Sequence, residues 1–137
     1  MLFIEIIIGI ILAAAVVFAF RKMKDERFAK FFAGSLIIAA LIYVGFATFG
    51  VFIGEATANW ILIEIGGFFL YSVFAYLGIK LSEWFLAIGW ATHVLWDVGL
   101  HFGEATASFV PDFYPPVCIG FDLAIAVYIV YRFYFRN

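Results

Sequence analysis

The chain has 137 residues, of which 67% are hydrophobic and 13% charged, with a mean hydropathy of +1.13 and a net charge of −2. Soluble domains are about 45–50% apolar and about 25% charged, so this balance excludes a soluble globular protein, and no nucleic-acid partner is expected. A single-domain integral membrane protein is expected instead, because this length accommodates about five spans of ~20 residues and no separate soluble domain.

The first candidate span, about 2–20, is interrupted only by Glu5 and is followed by the basic run Arg21-Lys22-Met23-Lys24-Asp25-Glu26-Arg27. A cleavable leader needs a basic segment ahead of its apolar core, and the only early charge here is acidic, so a retained span is expected. Further spans are expected at about 31–53, 60–79, 84–102 and 117–134, each long enough for a hydrocarbon core of ~30 Å. They are joined by short connections and by a longer one, 103–116, that holds all three prolines. The expected fold is all-α, with five transmembrane helices forming one domain over 1–137. This topology places all eight basic residues, Arg21, Lys22, Lys24, Arg27, Lys30, Lys80, Arg132 and Arg136, on one side. By the positive-inside rule that side is cytoplasmic, so the N-terminus lies outside and the C-terminus inside, in a multi-pass protein of the plasma membrane.

Gly50-Val-Phe-Ile-Gly-Glu-Ala-Thr-Ala58 recurs as Gly99-Leu-His-Phe-Gly-Glu-Ala-Thr-Ala107, matching at six of nine positions. Both copies fall where a span ends at the outer face, so helices 2–3 and 4–5 form a candidate parallel repeat. A local convergence on one helix-ending turn accounts for the match equally well. At the same offset His93, Trp96, Asp97 and His101 correspond to Val44, Ala47, Thr48 and Phe52, so the polar residues belong to one copy only. A symmetric pore with matched halves is therefore disfavoured.

The fourth span concentrates the chemistry. Between Trp90 and His101 lie both histidines of the chain, two of its four tryptophans and Asp97. An ionisable side chain at bilayer depth costs roughly 2.5–3.5 kcal/mol, which demands a partner or a task. At ~100° per residue His93, Asp97, His101 and Glu104 fall within an arc of roughly 80° that includes Trp90. Glu64 and Asp122 stand inside apolar runs at similar outer depth, and Glu5, Glu55 and Asp112 complete an outer set of seven carboxylates without a Lys or Arg. Such a field attracts cations, and a cavity open to the exterior accommodates it.

Three chemistries fit these residues. His93, Asp97, His101, Asp122 and Glu64 offer ligands for a divalent metal, Zn, Fe or Mn. Without metal, His93, Asp97 and Asp122 offer a general base and acid, with Trp90, Trp96 and Glu104 lining a pocket for a cationic or lipid ligand. A chain of imidazoles and carboxylates also relays protons. Against all three stands the plain alternative, in which the same groups are interhelical hydrogen-bond contacts. Cys118 is read as a small buried hydrophobe.

The run Ile88-Gly-Trp-x-x-His93-x-x-Trp-Asp97-x-x-x-His101, followed by Phe109-Val-Pro111 and by Cys118 with Asp122 four residues on, resembles a family of small bacterial integral membrane proteins known only as a domain of unknown function. The resemblance extends over roughly 43–128 and implies the bacterial inner membrane and one shared site containing His93, Asp97, His101 and Asp122. Where such proteins carry a second cysteine ahead of the last aspartate, this chain has Phe121. The functional expectation is a membrane-embedded enzyme with an outward-facing His/Asp pocket acting on a lipid or isoprenoid by metal-assisted or acid–base chemistry. The alternatives are a cation or proton transporter using the same carboxylates, with a homo-oligomer as one arrangement, and a structural accessory subunit.

Overall fold

The computed structural model describes residues 1–101 and 109–136. Among these, the chain forms five helices and no strand: α1 (Leu2–Phe20), α2 (Asp25–Phe52), α3 (Ala58–Lys80), α4 (Glu83–His101) and α5 (Tyr114–Phe135). A helix lies over each of the five expected segments. Two of them begin three or more residues earlier than the apolar runs alone indicate. In α2 the helix starts at Asp25, because Asp25 and Glu26 occupy the first turn, where carboxylates complement the helix dipole, and Glu26 receives Lys30 one turn on at 2.6 Å. In α5 it starts at Tyr114, since Pro115 and Pro116 sit in the first turn, where a missing N–H costs nothing.

Four of these helices, α1, α2, α3 and α5, are long and apolar enough to cross a membrane. The fourth, α4, matches α1 in length but is less apolar, since Glu83, His93, Asp97 and His101 lower its hydropathy. The fold resolves that conflict by position. α4 packs against α2, α3 and α5, so its polar residues face helices rather than lipid. The apolar residues left exposed, among them Phe3, Ile11, Leu62, Leu95 and Val127, point outward from the bundle, a surface suited to acyl chains.

α1 is held almost entirely by α5. The two helices cross at Gly9 and Gly120: a Cβ on Gly9 would collide with the carbonyl of Val117, and one on Gly120 with the carbonyl of Ile6. Small residues are needed at that crossing because backbone meets backbone. Between α2 and α3 the chain turns at Gly54, whose φ of 81° is left-handed. Glu55 N–H bonds Gly50 O and Gly54 N–H bonds Val51 O, a pair of bonds that satisfies the last carbonyls of α2. The first copy of the repeated nonapeptide is thus a helix-ending turn; most of the second copy, 102–107, lies outside the described residues.

All eight basic residues lie toward one end of the bundle. Arg132 reaches Asp25 at 3.1 Å and Arg136 reaches Glu83 at 2.9 Å, tying the ends of α5, α2 and α4 together there. Between that end and the histidines the core is apolar, built from Phe28, Phe32, Ala33, Leu36, Leu86, Ile125 and Ile129, none more than 1% exposed.

Candidate metal centre

Each turn of α4 contributes a group to the same inward stripe, so that Trp90, His93, Asp97 and His101 are all buried against the neighbouring helices. From α3 comes Glu64, fully buried, and from α5 comes Asp122, 2% exposed. The five ionisable residues divide into two adjoining groups. In the first, His93 Nδ1 lies 2.7 Å from Asp122 Oδ2 and 3.7 Å from Asp97 Oδ2. In the second, His101 Nε2 lies 2.5 Å from Glu64 Oε1, whose other oxygen accepts the indole N–H of Trp96 at 3.0 Å.

Tyr43 of α2 joins the groups. Its hydroxyl donates to Asp97 Oδ1 at 2.5 Å, and its ring stacks on His101 with centroids 4.2 Å apart and planes 8° apart. Tyr71 of α3 presents its ring edge-on to His93 at 4.8 Å, and its hydroxyl donates to the carbonyl of Thr92. Trp60 and Phe109 close around His101 at 5.9 and 6.2 Å. Gly67 leaves the space in which the Trp96 indole lies; a Cβ there would stand 2.5 Å from the ring.

Several buried polar atoms of this cluster have no hydrogen-bond partner among the described residues: His93 Nε2, Asp97 Oδ2, His101 Nδ1, and the facing pair His101 Nε2 and Glu64 Oε1, whose approach is off the direction of a hydrogen bond. Such atoms are costly inside a protein unless water, a proton or a ligand satisfies them, and here they accumulate at one place. His93, Asp97 and Asp122 each offer one ligand atom within 4.8 Å of the other two. Ligands of one ion with bonds of ~2.1 Å stand up to about 4.2 Å apart, a spacing near that of this set, so these three residues could hold a metal ion. The donor set is one imidazole and two carboxylates.

The geometry and the family agree on the extent of the fold. A family alignment matches residues 4–134. The chain belongs to DUF6010, a family of unknown function. No curated protein and no solved structure matches it. The family covers more of the chain than the 43–128 over which the resemblance extends, and takes in nearly all of α1 and of α5.

The sequence-derived residues therefore fall as follows. His93, Asp97 and Asp122 come together; His101 and Glu64 pair with each other beside them. Trp90 is buried, donates its N–H to Phe32 O at 3.2 Å and packs on Phe121, while Trp96 supports Glu64. Glu104 lies outside the described residues. A cavity of about 270 Å³ opens between α2 and α5, lined by Ser35, Ile42, Trp90, Cys118 and Asp122 among others. Asp122 thus contributes to the wall of a lateral cavity as well as pairing with His93. Sequence reasoning missed Tyr43 and Tyr71. A signal for Tyr43 exists: it continues the inward stripe Leu36, Ala40, Tyr43, Ala47 and Gly50, in which it is the sole polar tip.

Proposed function

We propose that this chain is a membrane-embedded enzyme that holds a divalent metal at His93, Asp97 and Asp122 and acts on a lipid or isoprenoid substrate. The observation that carries the reading is charge. Three carboxylates, Glu64, Asp97 and Asp122, are buried with two imidazoles, and no described Lys or Arg pairs with any of them. Counted as an ion pair, Glu64 and His101 cancel, and Asp97 and Asp122 beside a neutral, metal-binding His93 carry two negative charges, which a low-dielectric core strongly disfavours. A divalent cation balances those two charges.

The 2.7 Å contact between His93 Nδ1 and Asp122 Oδ2 fixes the orientation of the ring, and His93 Nε2 has no hydrogen-bond partner among the described residues. Tyr43 holds Asp97 through one oxygen and leaves the other available. A metal bound among these groups would polarise an ester or phosphate oxygen and activate water. The opening between α2 and α5 supports an apolar substrate, since its walls are mostly Ile, Ala, Val and aromatic residues and Asp122 lies in its lining.

The charged ends support an orientation with the basic end in the cytoplasm and the metal residues in the outer half of a plasma membrane, here the bacterial inner membrane. A cysteine at Asp112, in a Cys118→Ala background, should react with a membrane-impermeant thiol reagent in intact cells, and one at Ser82 should not. Reversed labelling would put the site in the inner half.

A second reading, proton or cation transport, is favoured by the contact chain Glu64, His101, Tyr43, Asp97, His93 and Asp122. Against it stands the apolar core that fills the bundle between the histidines and the basic end. Elemental analysis of protein purified without chelator tests the leading reading. About one equivalent of Zn, Fe or Mn per chain is expected. Metal-free protein that takes up none of the three on addition sinks it.

A further inference from the structure

At the opposite end of the bundle, away from the metal residues, the α1–α2 connection, the start of α2 and the end of α5 enclose a cleft of about 300 Å³ lined by Arg21, Asp25, Tyr128, Tyr131, Arg132 and Arg136. Three guanidinium groups face one carboxylate there. Glu83 holds Arg136 at 2.9 Å and offsets a second charge, which leaves the cluster positive by one. The flanking Lys22, Lys24 and Arg27 add to the same field.

These arginines are anchored rather than free. Arg132 lies over the Phe28 ring at 3.8 Å and spends Nη2 on Met23 O and Asp25 Oδ1, while its Nη1, shielded from solvent, has no hydrogen-bond partner. Arg21 lies over the Phe18 ring at 3.7 Å and spends Nη1 on Phe18 O. Guanidinium forks fixed in this way have little entropy left to lose on binding, and their planar donors match the oxygens of a phosphate. Tyr128 and Tyr131 supply the amphipathic rings typical of headgroup depth. Basic pockets between spanning helices at that depth recognise phosphorylated headgroups.

We propose that this cleft is a binding site for a phosphate-class anion, the chemistry that an anionic lipid headgroup and free phosphate share. It depends on the chain's lying in a membrane and is independent of the metal reading, which concerns the other end of the bundle.

The test uses full-length protein in detergent micelles, with retained phosphatidylglycerol or phosphatidylcholine counted by native mass spectrometry. Phosphatidylglycerol should be retained in preference, and Arg21→Gln and Arg132→Gln should each weaken its retention about fivefold, the effect of one basic side chain at a charged surface. Arg21 bonds only within its own helix end, so its variant is informative even where Arg132→Gln fails to fold. Lys80→Gln, at the same end but outside the cleft, should change nothing. Excess inorganic phosphate that displaces the lipid identifies a site open to free phosphate; failure to displace it identifies a headgroup held in place by its acyl chains. Equal retention of the two lipids, no effect of Arg21→Gln, or an equal loss with Lys80→Gln overturns the proposal.

Discussion

Two histidines sit two turns apart on α4, each against a carboxylate from another helix, and their surroundings differ. His93 faces two aspartates, with Asp122 also lining the lateral opening between α2 and α5. His101 faces one glutamate and is sandwiched by aromatic rings: Tyr43 stacked on it, Trp60 and Phe109 around it. The same pairing thus yields one site with surplus acceptors beside a lateral cavity, and another walled by rings. A buried ion pair alone is weak grounds for function, because such pairs also serve as contacts between helices. What separates the two is the second carboxylate and the cavity that Asp122 lines.

The sharpest way to break that distinction is to remove one carboxylate from each group. Asp97→Asn should lower metal affinity by about 10–100-fold, since the amide keeps the shape and loses the charge, whereas Glu64→Gln should change it by less than about threefold. Gln keeps an oxygen for the Trp96 N–H, so the packing around Gly67 should survive. Competition with a chelator of known affinity measures both. An equal loss in the two variants would merge the groups into one site of five ligands.

Much of this was legible in the sequence, and the reasons differ from residue to residue. Helix number followed from apolar runs of membrane length, which no other structure satisfies in lipid. The inward placement of Asp97, Asp122 and Glu64 followed because a carboxylate facing acyl chains is disfavoured. Their partition between His93 and His101 did not follow, since it depends on how α3 and α5 are rotated about α4, and the small residues that set those rotations, Gly67 against Trp96 and Gly120 against Ile6, become informative only once paired. The start of α2 at Asp25 escaped for another reason: hydropathy marks the part of a helix inside the membrane, and dipole and capping chemistry set its true end. Tyr43 escaped because one hydroxyl in a long apolar helix resembles an aromatic packing residue until its partner is in view.

Tyr43 touches both groups by different means, which makes it the finer probe of the comparison. Its hydroxyl serves Asp97 and its ring serves His101. Tyr43→Phe removes the first and keeps the second. Asp97 Oδ2 already lacks a hydrogen bond, so the variant would leave the carboxylate with none from a hydroxyl, at a cost of about 1–3 kcal/mol by the soluble-protein scale and nearer ~0.6 kcal/mol by the average found between membrane helices. Reversible unfolding in mixed micelles should register this loss. The decisive quantity is the coupling. Tyr43→Phe combined with Asp97→Asn should destabilise by less than the sum of the two alone, by at least about 0.5 kcal/mol, while Tyr43→Phe combined with His101→Gln should be additive to within about 0.5 kcal/mol, because the stacked ring persists in both arms of the second cycle. Coupling to His101 as large as that to Asp97 would mean that the hydroxyl, and not the ring alone, serves both histidine groups, and that the two behave as one hydrogen-bonded network.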